Sequence, residues 1–130
     1  MADAPVLELS DTTWEQLVEK SDLPVFVMFF SPTCPYCRTM DPYFRGFAKD
    51  FEGMVTFGRL DILANPWIAE RYGILSTPTF VIFCTGRPFQ QMVGGVYPAL
   101  LKRMVEESIS QGNECMKSST IISYDISGYG

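Results

Sequence analysis

The six residues Val25-Phe26-Val27-Met28-Phe29-Phe30 carry no polar side chain. Successive side chains of a strand point to opposite faces, so an unbroken apolar run of this length predicts a strand buried on both sides. Such a strand needs a layer packed on each face of its sheet, which favours a layered α/β fold over a bundle or a one-faced sheet. The run is also far shorter than the roughly 20 apolar residues that cross a bilayer. Its end is abrupt. Ser31-Pro32-Thr33 stops the strand, and Cys34 opens a helical stretch reaching about Phe51. Pro42 lies inside that stretch and removes one helical hydrogen bond, which predicts a kink.

The remaining elements follow from periodicity and punctuation. Leu7-Glu8-Leu9 alternates as a short first strand does. Thr12 and Glu15 have capping-box spacing, and Trp14, Leu17 and Val18 form an i, i+3, i+4 stripe, so a first helix is expected near 12–20. Met54 to Leu60 reads as the next strand, and Asn65-Pro66 as an N-cap with proline at the first position of a short helix ending at Gly73. Thr79 to Cys84 is a β-branched and aromatic strand, turned by Gly86-Arg87-Pro88 into a partner strand, Phe89 to Val93. Pro98 to Gln111 closes with a helix whose apolar stripe is Leu100, Leu101, Met104, Val105 and Ile109. The order β-α-β-α-β-α-β-β-α predicts a mixed sheet flanked by helices on both faces. One domain is expected over 1–111. Residues 112–130 form a polar tail around Thr120-Ile121-Ile122, either flexible or an added edge strand.

Composition narrows the chemistry. At 130 residues and 47% hydrophobic content, the chain suits one packed domain. Its net charge of −5 argues against nucleic acid or an anionic membrane as the main partner, since both call for a basic face. The chain contains no histidine. Ser–His–Asp triads, Cys–His pairs and histidine-containing metal sites are therefore excluded. The amino-terminal Met-Ala-Asp-Ala-Pro has neither the basic nor the apolar segment of a secretory signal, so a reducing cytoplasm is the expected compartment.

The four cysteines, at 34, 37, 84 and 115, then become the centre of attention. Cys34 and Cys37 stand at a strand-to-helix junction. There the unpaired N–H groups and positive dipole end of the helix stabilise a thiolate, the attacking species in disulfide exchange. A spacing of two residues puts the second sulfur about one turn in, within reach of a mixed disulfide on the first. Pro35 fits the first helical turn, where no N–H is required of it, and Arg38 adds positive charge. A zinc site would need four ligands, and Cys84 and Cys115 make a poor second half. Cys84 shares a strand face with Phe80 and Ile82 and is expected as a buried core thiol. Cys115 is expected as an exposed thiol of the tail. Met28, Met40 and Met54 are expected as core filler rather than metal ligands.

On these residues the chain resembles the thioredoxin superfamily over roughly 5–110. The resemblance rests on the strand–CxxC–helix unit, Pro42, Arg59-Leu60-Asp61, Asn65-Pro66 and Tyr72-Gly73-Ile74. It continues through Ser76-Thr77-Pro78-Thr79-Phe80, Gly86 and Val93-Gly94. It implies the thioredoxin fold and a thiol–disulfide oxidoreductase that reduces protein disulfides. Cys34 is then the nucleophile, Cys37 the resolving thiol, and the Thr77–Pro78 bond cis beside them. Tyr36, Thr77, Pro78 and Gly94 would form the substrate surface, and Pro35, Arg38 and Met28 would tune the thiols. No bound cofactor or metal is implied. A disulfide reductase or low-molecular-weight thiol would supply electrons to what is expected to be a monomer. Three rivals remain: a binding module with a passenger CxxC, a net oxidant or isomerase, and a cluster-bridged dimer.

The departures are specific. The Pro-Tyr dipeptide resembles that of glutaredoxins. Phe30 and Thr33 stand where the family commonly has tryptophan, and Met28 where it usually has a buried aspartate. With Met28 there, Arg59 needs a different partner or must face solvent. Resolution by Cys37 is likewise expected to be slower for want of a base, unless Asp61 or a water substitutes.

Overall fold

In the computed structural model, which describes residues 6–112, the apolar run is the middle strand of a five-stranded sheet. The strands are β1 (Val6–Leu9), β2 (Val25–Phe30), β3 (Thr56–Asp61), β4 (Thr79–Cys84) and β5 (Arg87–Val93), in spatial order β1-β3-β2-β4-β5. β2 pairs parallel with β3 and antiparallel with β4, so the sheet is mixed, as the element order implies. Its alternating side chains feed two separate cores. Phe26 and Met28 pack with Met40, Phe44 and Ala48 of α1 (Pro35–Asp50) and with Leu101, Met104 and Val105 of α3 (Pro98–Ser110). Val25, Val27 and Phe29 face the other way, onto Trp14, Val18 and Ile68 and Ala69 of α2 (Pro66–Arg71). Both faces of the sheet are therefore covered.

Among the described residues all three α-helices begin on a proline, whose fixed φ suits the first helical turn and whose missing N–H is not needed there. The expected helix near 12–20 is smaller than its stripe suggests, a single wide turn over Glu15–Glu19 closed by Lys20 N–H to Glu15 O at 2.9 Å. A different local pairing precedes it in place of a Thr12 capping box. Ser10 N–H donates to Thr13 Oγ1 at 3.0 Å and Thr13 N–H to Ser10 Oγ at 3.2 Å, so the chain turns before the helix begins. Asn65 does not cap α2 with its side chain. Its Oδ1 accepts from Asp11 N–H at 2.9 Å, and Asp11 Oδ1 in turn accepts from Ile68 N–H at 3.1 Å. The cap of α2 comes from a loop 57 residues away in sequence.

Two side chains leave the core they were expected in. Met54 precedes β3 rather than opening it and is 48% exposed, and Leu100 lies on the solvent side of α3. Among the described residues no helix is long and apolar enough to cross a membrane. The tail beyond 112, with Cys115 and the Thr120-Ile121-Ile122 patch, lies outside the described residues.

Candidate functional site

Cys34 is the N-cap of α1, still extended at φ −86° and ψ 113°, and Pro35 is the first helical residue. This junction follows from the sequence: β2 ends against Ser31-Pro32, and proline can start a helix but not continue a strand ladder. Cys34 and Cys37 form a disulfide with their Cα atoms 5.2 Å apart. Both sulfurs are sequestered, since Cys34 is 7% exposed and Cys37 4%. Exposure therefore does not separate their roles. Hydrogen bonding does, because Cys37 N–H donates to Cys34 Sγ at 3.1 Å. Cys34 thus holds the position of a capping acceptor at the positive end of α1, where a negative sulfur is stabilised.

The expected substrate residues gather at this end of the sheet. The Thr77–Pro78 bond is cis. Thr79 Oγ1 donates to Ser76 O at 2.8 Å, fastening the loop ahead of β4. Gly94 closes the same edge: its N–H donates to Pro78 O at 2.8 Å, with the glycine at φ +93°, where an L side chain is strained. Tyr36 is 63% exposed and bridges the two halves of the surface. Its ring lies so close over Gly95 that a Cβ there would sit 2.9 Å from Tyr36 Cδ1. Tyr36, Tyr43, Gly95 and Tyr97 line a groove of about 550 Å³ between α1 and the turn that leads into α3.

A second cleft, of about 280 Å³, opens on the other side of the pair and reaches Cys37. Met28, Phe30, Arg38, Asp41 and Arg59 line it. Met28 is buried beside Arg59, its register partner on β3. Arg38 donates to Pro32 O at 3.4 Å and so belongs to the wall beside Cys37. Arg59 has found partners in place of the absent strand carboxylate. Its Nη1 donates to Asp41 Oδ1 at 2.8 Å, its Nε is ion-paired with Glu8 Oε2 at 3.1 Å, and its guanidinium lies 4.0 Å from the centre of the Phe30 ring. Asp61, the expected candidate base for Cys37, lies away from the cleft. Its Oδ1 accepts from Leu63 N–H at 2.9 Å and Ala64 N–H at 3.3 Å. Asp41 and Gly95 are the residues that reading the motif alone passes over. Asp41 carried a signal, since it follows Cys37 by four positions on one helix.

Cys84 is buried with Phe80 and Ile82 as expected, but as a disulfide-bonded cysteine rather than a core thiol. Among the described residues no group of three or more His, Cys, Asp or Glu side chains is placed to hold a metal ion.

A family model described as thioredoxin matches residues 5–107. The chain belongs to the thioredoxin family. Its thioredoxin relatives include Thioredoxin M4, chloroplastic, of Arabidopsis thaliana, 38% identical over 105 residues, which are 81% of this chain and 54% of that protein. The chain thus spans about half the length of that relative. Thioredoxin 1 of Nostoc sp. is 34% identical over 102 residues, 78% of this chain and 95% of its own. The thioredoxin of Porphyra purpurea is 33% identical over 105 residues, 81% of this chain and 98% of its own. The thioredoxin match stops short of the tail, as the motifs do.

Proposed function

We propose that this chain is a thiol–disulfide oxidoreductase that reduces protein disulfides by dithiol exchange at Cys34 and Cys37. One observation carries the reading: a bonded cysteine pair at the start of α1, with Cys37 N–H aimed at Cys34 Sγ at 3.1 Å. In the reduced protein the Cys34 thiolate attacks a substrate disulfide, forming a mixed disulfide and releasing one substrate thiol. Cys37 then attacks Cys34 Sγ, the Cys34–Cys37 bond forms, and the second substrate thiol leaves. An extended substrate segment lies along Thr77, Pro78 and Gly94 like an added strand, with Tyr36 on its flank. A disulfide reductase or a small thiol returns the pair to the dithiol, and the protein works as a monomer in a reducing compartment. We favour the cytoplasm, with the chloroplast as the alternative that the names of several relatives raise.

The test is reduction of a protein disulfide such as insulin with dithiothreitol as donor. The wild type should turn over, Cys34→Ser should be inactive, and Cys37→Ser should accumulate mixed disulfides. A wild type that adds nothing to the donor's own rate would mark the pair as a passenger in a binding module. Equilibration of the couple against glutathione separates a reductase from a net oxidant.

A further inference from the structure

Cys37 must become a thiolate to attack, yet it is 4% exposed. A free cysteine has a pKa near 8.5, and burial disfavours the charged form, so the step needs a group that takes the proton. The cleft that reaches Cys37 has one carboxylate on its wall, Asp41. Asp41 lies one helical turn beyond Cys37 on α1. Residues four apart share a helix face, so Asp41 and Cys37 line the cleft from the same side of α1. The carboxylate is gripped at both oxygens. Oδ1 accepts from Arg59 Nη1 at 2.8 Å and Oδ2 from Arg45 Nε at 2.7 Å. Arg59 is itself pinned between the Phe30 ring and Glu8, which fixes the carboxylate relative to the sheet as well as the helix.

We infer that Asp41 is the proton acceptor that lets Cys37 resolve the mixed disulfide, a carboxylate supplied from α1 where Met28 leaves β2 without one. The inference rests on the oxidoreductase reading above. In the mixed disulfide the Cys37 thiol gives up its proton across the cleft toward the Asp41 carboxylate, and the resulting thiolate attacks Cys34 Sγ. The Cys34–Cys37 bond forms as the bond from Cys34 to the substrate sulfur breaks. The electron pair leaves on that substrate sulfur, which takes a proton from water. Two electrons have then passed from the dithiol to the substrate disulfide, and Asp41 returns its proton to solvent.

The charges around the cleft make the test directional. Arg38 and Arg59 line it, with Arg45 and Glu8 behind Asp41 and Arg59. If Asp41 served only to neutralise these guanidiniums, its removal would leave a more positive cleft, favour the Cys37 thiolate and speed resolution. If it takes the proton, removal slows resolution. Reduced full-length protein is mixed with 5,5′-dithiobis(2-nitrobenzoate) in a stopped-flow instrument. A first release of chromophore reports attack by Cys34 and a second reports resolution by Cys37. In Asp41→Asn the ratio of second-phase to first-phase rate should fall about tenfold or more at neutral pH, with the second-phase pH profile displaced upward. Asp41→Glu should recover much of the loss. Asp41→Ala, which removes the carboxylate outright, should slow the second phase as well and serves if Asp41→Asn does not fold. An unchanged or faster second phase in Asp41→Asn, or in Asp41→Ala alone, overturns the inference. A wild type with no first phase would instead fail the oxidoreductase reading.

Discussion

The hydroxyl of Tyr72 ties three separate parts of the sequence together, and its removal is the cleanest test of the second core. Trp14 Nε1 donates to Tyr72 Oη at 3.2 Å, and Tyr72 Oη donates to Gly86 O at 3.2 Å. The rings of Trp14, Tyr72 and Phe83 pack with centroids 5.5, 5.0 and 4.9 Å apart, and Tyr72→Phe leaves that packing in place. The indole is 1% exposed, so its N–H finds no water when the hydroxyl is gone, whereas Gly86 lies in a turn where its carbonyl can be hydrated. One stranded donor costs about 1–3 kcal/mol. For a domain of this size that lowers the melting temperature by roughly 4–12 °C. Burial pushes the Tyr72 phenol above its ordinary value of 10.0, against the opposing pull of the Trp14 hydrogen bond and Arg71. The folded state therefore holds this proton to higher pH than the unfolded state does. Its stabilisation is fully present below about pH 10 and is lost as pH rises through the folded value. Urea denaturation of the oxidised protein at neutral pH and across the alkaline range measures both effects. The gap between wild type and Tyr72→Phe should be widest below pH 10 and shrink above it. A variant within 0.5 kcal/mol of wild type at neutral pH, approximately the scatter of a neutral surface change, would refute the account.

Three further substitutions probe other parts of the fold. Asp11→Ala should cost about 1 kcal/mol in a denaturation curve, because Ile68 N–H loses its capping acceptor; an unaltered midpoint would show that solvent replaces the cap. Gly58→Ala should destabilise by about 1–3 kcal/mol, since a Cβ would sit 2.7 Å from Leu9 Cδ1 within the buried β1–β3 contact. Gly95→Ala should displace the Tyr36 ring, which a Cβ would approach to 2.9 Å, and raise KM for protein disulfides more than for a small aromatic disulfide. Equal effects on both substrates would detach Tyr36 from protein recognition.

What sequence reading could and could not reach divides along the distance over which each residue's partner lies. β2 was legible because its character is local, six apolar residues bounded by Ser31-Pro32. The helix starts were legible because proline carries its own φ. Cys34 and Cys37 announced themselves through spacing and placement. The first helix was over-read, because the hydroxyls of Ser10 and Thr13 satisfy each other's backbone donors before the Trp14 stripe begins. Asn65 was read as a local cap, but its oxygen serves Asp11, and Asp11 caps α2 from across the fold. The destination of Arg59 was undecidable from the motif alone. Its carboxylate lies 18 residues earlier on a helix, and only the β2–β3 register and the packing of α1 over that face bring the two together.

The division of β2 between two cores sets a hierarchy of opening. All six β2 residues are in register with β3 and Val25–Phe29 also with β4, and the side chains lock both layers. Breaking those bonds requires nearly the whole molecule to come apart, so β2 amides should be among the last to exchange with deuterium. The turn carrying Gly94 and Gly95 lies at the end of the edge strand, fastened through Gly94 N–H to Pro78 O, and should open well before β2 does. The cysteine pair sits at the boundary between these regimes, fastened to the slow unit through β2 and facing partners through the fast one. The surface that meets a substrate can thus open locally while the platform beneath the sulfurs stays closed.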